Sequence, residues 1–200
     1  MIQNEGRIPL TSKVSDKQDK IIEAALILFA DRGFHGTNVP AIAKLANVGT
    51  GTIYRYFKSK EELVNAVYQK SANQLYESIS LQFPTDESIF KQYLFIMERF
   101  IQFAKENKKA FIFIETHNHA DYLDQISIIQ MQKLEKFLCV FLEKGVNAGQ
   151  LRSDIACEAL IAIVYGAYVA IFKRIEAGVI RDSKELEQGF IQSGWDAIRE

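Results

Sequence analysis

The densest chemistry in this 200-residue chain lies in residues 47–63, NVGTGTIYRYFKSKEEL. Thr50, Thr52, Tyr54, Arg55 and Tyr56 place hydroxyl, phenol and guanidinium groups close together, with Gly49 and Gly51 between them. A turn made only for stability has no use for that density of hydrogen-bonding groups. They suit the edges of bases and the oxygens of phosphates, and small residues let a backbone approach a duplex closely. Lys60 starts the next helix, whose N-terminus attracts phosphate through its free N–H groups and its dipole. Ile53 and Phe57, four apart, point back into a small core.

Other candidate chemistry is weaker. Residues 115–124, ETHNHADYLD, hold two of the three histidines. A metal would need His117, His119 and a carboxylate, yet side chains two apart on a helix diverge. No HExxH or ExxH motif occurs, which argues against a di-iron bundle enzyme. No nucleophile–histidine–acid set is evident either. The reading is therefore no enzyme, no metal and no cofactor, with residues 115–124 forming a polar pocket wall or a helix junction. Cys139 and Cys157 are too few and too far apart for a zinc knuckle or a disulfide framework. They are expected to be small buried hydrophobes in a reducing compartment.

The elements that must position these groups are helical. Composition is that of an ordinary soluble globular protein, 48% hydrophobic and 24% charged. The N-terminus lacks a signal-peptide core, and the longest apolar run, residues 159–172, is shorter than the roughly 20 residues that span a bilayer. A cytoplasmic protein without membrane contact is expected. Net charge is −1, but residues 1–60 carry nine basic and five acidic residues against fifteen and twenty in the remainder. A basic N-terminal part on an acidic body fits a nucleic-acid contact.

Apolar residues recur at three- and four-residue spacing, so the chain reads as all-α. A Ser15–Gln18 capping box opens the first helix, Ile21, Ile22, Ala25, Leu26, Leu28 and Phe29 make its buried stripe, and Gly33 stops it. Asn38 caps a short second helix with Ile42, Ala43 and Leu45 facing inward, and Asn47 ends it in the left-handed conformation. A third short helix covers about residues 50–57. Ser59 with Glu62 then opens a long fourth helix. Longer helices follow over about residues 86–105, 123–147 and 154–177 and after an Asp182/Glu185 box, with a shorter one beginning after Asn107. Two short helices joined by a tight turn, the second rich in polar groups, form a helix-turn-helix pattern.

The stretch IIEAALILFADRGFHGTNVPAIAKLANVGTGTIYRYFKSKEEL resembles the DNA-binding domain of TetR-family transcriptional repressors. Ala25, Leu28, Phe29, Gly33, Thr37, Ile42 and Ala43 carry the frame, with the run GT-IY-YF-SKEEL over residues 51–63. The likeness covers about residues 15–65; beyond them only the plan is similar. It implies a three-helix DNA-binding domain (15–60, after an arm over 1–14) and a helical-bundle ligand-binding and dimerisation domain (61–200). It also implies a homodimer on a palindromic double-stranded operator, released by a small ligand. By the same resemblance, Thr50, Thr52 and Arg55 read bases or nearby backbone, with Gly51 giving clearance. Tyr54, Tyr56 and Lys60 grip phosphates, and Thr37, Asn38 and Lys44 support the backbone contact. Asn47 and Gly49 depart from the family's usual Gly and Ser, and Gly49 shifts capping toward Thr50.

For the second half, a hydrophobic ligand is expected among Phe100, Phe103, Phe111, Ile114, His117, Tyr122, Phe137, Tyr165 and Tyr168. The dimer face is expected on the last two helices, at Ile161, Tyr165, Tyr168, Phe172, Phe190 and Trp195. The fourth helix is the natural lever between the halves. The alternatives are a ligand-dependent activator or a corepressor-type regulator, a bundle enzyme with an incidental helix-turn-helix, and an interaction module whose basic face binds an acidic protein.

Overall fold

The computed structural model describes residues 10–118 and 120–200, with side chains from residue 17 onward. The expected arm over 1–14 lies largely outside them, as does His119. The described residues form nine helices and no named strand. They are α1 (Leu10–Arg32), α2 (Val39–Leu45), α3 (Thr50–Tyr56), α4 (Lys60–Ser80), α5 (Ile89–Glu106), α6 (Lys108–His117), α7 (Gln125–Asn147), α8 (Cys157–Glu176) and α9 (Lys184–Ile198).

The chain divides into two compact units. Unit 1 is Met1–Ala72 with Asn107–Ile128; unit 2 is Asn73–Glu106 with Ile129–Glu200. In unit 1, α1 packs on α2 and on α6, and α2 packs on α3. Its core is the stripe Ile21, Ala25 and Phe29 of α1, joined by Ile42, Ile53, Leu63, Val67, Tyr68, Phe111 and Phe113. In unit 2, α9 packs on α5 and α8. Tyr93, Phe100, Phe103, Leu160, Tyr168 and Phe172 are buried there.

Helix ends follow local chemistry. Gly33 (φ 68°) closes α1 and Asn47 (φ 53°) closes α2, both in the left-handed region that costs most side chains energy. Five helix starts differ from the sequence reading: α7 begins at Gln125 rather than near 123, and the other four have a local cause. α1 begins at Leu10, so the Ser15–Gln18 pair lies inside it; no Gly or Pro interrupts residues 10–32. α5 begins at Ile89 because the Ser88 hydroxyl accepts from the Lys91 N–H. α8 begins at Cys157, because Asp154 is held by the Arg152 guanidinium through two 2.6 Å hydrogen bonds instead of capping. α9 is capped by Ser183, whose hydroxyl accepts from Leu186 N–H, while Asp182 pairs with Lys105 at 2.9 Å. Leu45 is also turned outward, 49% exposed.

Candidate nucleic-acid interface

The candidate interface is built on α2, the turn after it, and α3. Asn38 caps α2, its side-chain oxygen accepting from Ala41 N–H at 2.9 Å. The left-handed Asn47 turns the chain so that Val48 N–H reaches Ala43 O at 3.0 Å. Gly49 is the N-cap of α3 and makes no side-chain cap bond, so Thr50 is the first helical residue and not the cap. Ile53 and Phe57 are buried and fix the inner face of α3. The outer face carries Gly51, Tyr54 and Arg55, all exposed, with Thr50, Thr52 and Tyr56 half-exposed beside them. Lys44 and Asn38 lie exposed on α2 and its cap.

No described residue gives a hydrogen bond or ion pair to the side chains of Thr50, Thr52, Tyr54 or Arg55. Buried polar groups in native folds are nearly always paired; these lie at the surface, where water or a partner can meet them. Gly51 makes the same point sterically. A Cβ built on it meets nothing within 4 Å, although glycine inside a helix costs up to about 1 kcal/mol against alanine. At Gly36 a Cβ would lie 2.3 Å from Arg32 O, and at Gly194 2.3 Å from the Tyr93 hydroxyl. Those two glycines answer to the chain's own packing, and Gly51 does not.

Two of the residues expected at this face are turned elsewhere. Thr37 is 2% exposed, and its hydroxyl lies 3.0 Å from Leu28 O and 2.9 Å from Gly33 O. It ties the α1 C-terminus to the start of α2 and cannot present that hydroxyl to DNA. The Lys60 ammonium donates to Phe34 O (2.9 Å) and Thr37 O (3.0 Å) and sits 4.0 Å from the Phe34 ring centroid. It satisfies carbonyls of the α1–α2 turn instead of standing free for a phosphate.

Two family models cover this architecture. "Bacterial regulatory proteins, tetR family" matches residues 21–67, and "Tetracyclin repressor-like, C-terminal domain" matches residues 68–200. The chain belongs to the TetR family. Among its TetR relatives is the HTH-type transcriptional regulator YvkB of Bacillus subtilis, 30% identical over 157 residues, 75% of this chain and 80% of that one. A TetR family transcription regulator from Marinobacter aquaeolei VT8 shares the fold at TM-score 0.85 and 20% identity, over 96% of this chain and all of that one. FadR of Bacillus subtilis, solved in complex with stearoyl-CoA, does so at TM-score 0.71 and 18% identity, over 90% of this chain and 98% of that one. The TetR chain described here is a DNA-binding transcriptional regulator.

The effector half of this TetR protein holds an apolar cavity of about 70 Å³ within unit 2. Met97 and Phe100 of α5, Leu138 and Leu142 of α7, and Leu160, Ile161 and Tyr165 of α8 are among the residues that line it. Of the nine expected pocket residues, Phe100 and Tyr165 line this cavity. Phe111, Ile114, His117 and Tyr122 do not, because they belong to unit 1. His117 is 1% exposed there, its Nδ1 2.9 Å from Phe113 O and its ring 4.2 Å from that of Phe113. Burial holds its pKa below the usual histidine value, so it is neutral at pH 7. Phe103 is buried outside the cavity lining, and Phe137 packs on Tyr76 and Phe83. Tyr168 packs on Phe100 and Phe190.

Of the six expected dimer residues, three are buried and three half-buried, and all pack against their own unit. Tyr168, Phe172 and Phe190 are buried, Ile161 and Tyr165 line the cavity, and Trp195 packs on Phe90 and Tyr93. Helical spacing gave the apolar face of α8, and that face turns to its own unit. The exposed face of α8 carries Ala159, Ala162, Ile163, Gly166, Ala167 and Ala170.

Two further features have no sequence motif. Asn65 of α4, 4% exposed, donates to Glu61 O and Tyr122 O and accepts from Asp124 N–H and the Ser127 hydroxyl, all at 2.7–2.8 Å. It pins residues 122–127 to α4. Cys139 and Cys157 are joined in a disulfide, Cα–Cα 5.4 Å, and both are half-buried rather than buried free thiols.

Proposed function

We propose that the chain is a homodimeric repressor that holds a palindromic operator with α3 and is released by an apolar ligand bound in unit 2. The observation that carries the DNA half is the outer face of α3, whose polar groups have no partner within the described residues. Arg55 and Thr52 are assigned to base edges, Tyr54, Tyr56 and Lys44 to phosphates, and Asn38 to the backbone through its free amide N–H groups. Two copies place two such helices in successive major grooves, roughly 34–36 Å apart. The dimer face is assigned to the exposed small residues of α8, where helices can approach closely. Working on DNA, the protein acts in the bacterial cytoplasm.

The lining of the unit 2 cavity is aliphatic and aromatic, and the Tyr93 hydroxyl is already donated to Ile191 O at 2.8 Å. At about 70 Å³ the cavity lies well below the roughly 300 Å³ that a drug-sized ligand fills. Ligand entry therefore has to move its walls, and that movement supplies the difference between states that a releasing ligand requires. A long-chain acyl thioester, the class bound by FadR of Bacillus subtilis, is the first ligand to try.

The test is selection of random duplex DNA by the purified protein, followed by titration of the selected duplex with stearoyl-CoA. An enriched palindrome released by the thioester is the expected result. Enrichment of no sequence would overturn the assignment of α3, and tighter binding with thioester would reverse the sign of regulation. Gly166→Arg, at a position where a Cβ meets nothing, is expected to give folded monomers by sedimentation; an intact dimer would remove α8 from the interface.

A further inference from the structure

We propose that Cys139 and Cys157 are a reversible thiol–disulfide site that clamps α7 to the start of α8 and so sets how far the unit 2 cavity can open. The covalent part stands on the cysteines alone. The clamp rests on the reading of that cavity as the ligand site.

Eighteen residues apart in sequence, the two cysteines bring their Cα atoms to 5.4 Å, inside the range a disulfide spans. In a compartment shared with DNA, small-molecule thiols keep most cysteines reduced, and the disulfides that do form there are mainly transient or sensing. The surroundings suit reversal. Both cysteines are half-buried, so small reagents reach them. Cys157 also lines an open groove of about 350 Å³ with Arg152 and Ser153. It is the first residue of the twenty-residue α8, and no side chain caps that end. The free N–H groups and dipole there favour its thiolate over that of Cys139, while the Glu158 carboxylate, within 4.8 Å of both sulfurs, opposes ionisation of either. Cys157 is therefore the attacking sulfur and Cys139 the resolving one.

With hydrogen peroxide as oxidant the step balances. The Cys157 thiolate attacks one peroxide oxygen; an S–O bond forms, the O–O bond breaks, and hydroxide leaves and takes a proton to become water. The Cys139 thiolate then attacks the sulfenic sulfur. The S–S bond forms, the S–O bond breaks, and a second water departs. The two sulfurs together lose two electrons, which the peroxide gains. Two equivalents of a small thiol reverse the bond through a mixed disulfide.

The consequence for the cavity follows from position. Leu138 precedes Cys139, Leu142 lies one turn beyond it, and Leu160 and Ile161 lie one turn beyond Cys157; all four line the cavity. A bond between the cysteines ties together the two walls that have to part for a ligand larger than the present space. The oxidised protein should then take an apolar ligand more weakly than the reduced one.

The experiment uses the full chain, fully reduced and then exposed to hydrogen peroxide. Denatured oxidised protein should show no titratable thiol and run as a single chain, and dithiothreitol should restore both thiols. Cys139→Ser should stop at a Cys157 sulfenic acid that dimedone traps. The oxidised wild type should melt about 5–10 °C above the reduced form. It should bind the fluorescent fatty acid cis-parinaric acid on the order of tenfold more weakly, and Cys139→Ser/Cys157→Ser should bind it equally before and after peroxide. Surviving thiols, bonds only between chains, or a reduced pair that takes up zinc with Glu158 and resists peroxide would overturn the covalent proposal. Equal probe affinity in both redox states would overturn the clamp. Probe uptake by neither state would sink the ligand-site reading and the clamp with it, while the thiol count decides the covalent step separately.

Discussion

Asn65 and Arg55 are both polar residues on helices of unit 1, and the fold treats them in opposite ways. Asn65 is buried with both amide hydrogens donated and its oxygen accepting twice. Arg55 is exposed, and no described residue meets its guanidinium. An unmet polar group inside a protein costs about 1–3 kcal/mol, so polar groups are either matched inside or turned to water or a partner. The comparison separates residues that hold the DNA-binding unit together from those it offers outward. A substitution should affect one property and spare the other.

The largest expected effect is Asn65→Ala. It strips partners from Tyr122 O, Asp124 N–H and the Ser127 hydroxyl at once and should cost about 3 kcal/mol in stability. Denaturant melts would show it, while protein that is still folded should keep its operator affinity. Arg55→Ala is the converse. It should lose about 1–3 kcal/mol of operator binding with an unchanged melt, and an unchanged affinity would remove Arg55 from base reading. Gly51→Ala sharpens the contrast within one residue. Stability should rise by up to about 1 kcal/mol, since the added methyl meets nothing, while DNA affinity falls. A gain in both would show that clearance at α3 is not needed.

The smallest effect concerns His117. Its folded pKa lies below the ordinary 6.5, from burial, so the unfolded chain binds the proton more readily. Stability is full above pH 6.5 and is lost as pH falls toward the folded pKa. Melts between pH 7.5 and 5, at about half-unit steps, should show that slope, and His117→Leu should flatten it whatever its effect on the absolute melting temperature.

Much of unit 1 was legible in the sequence because its signals are local. Gly33 and Asn47 announce their helix ends by residue type, and the Ser59–Glu62 pair marks the α4 start, where Glu62 N–H donates to the Ser59 hydroxyl at 3.2 Å. The outward face of α3 follows from Ile53 and Phe57 being four apart. What stayed hidden depends on partners far along the chain. Periodicity says that Phe111 and His117 face inward, but not that they face α1 rather than a ligand. Nor does it say that Asp154 and Asp182, good caps by type, are drawn off by Arg152 and Lys105. The meeting of Cys139 with Cys157 is of the same kind. Their spacing carries no motif, and only the return of the chain to α7 at the start of α8 brings them together. The exposed face of α8 escaped notice because, Ile163 apart, it is made of alanine and glycine, which a search for large apolar residues passes over.

Lys60 has a consequence for the counting of charge. Its ammonium lies over the Phe34 ring and against two carbonyls, so the duplex meets one cation fewer per subunit than the residue count of the N-terminal part suggests. A charge held inward displaces no condensed counterion. The slope of log affinity against log salt should therefore be shallower by about 0.9 per subunit than a tally including Lys60 predicts. Replacing Lys60 should loosen the α1–α2 turn and leave that slope where it was.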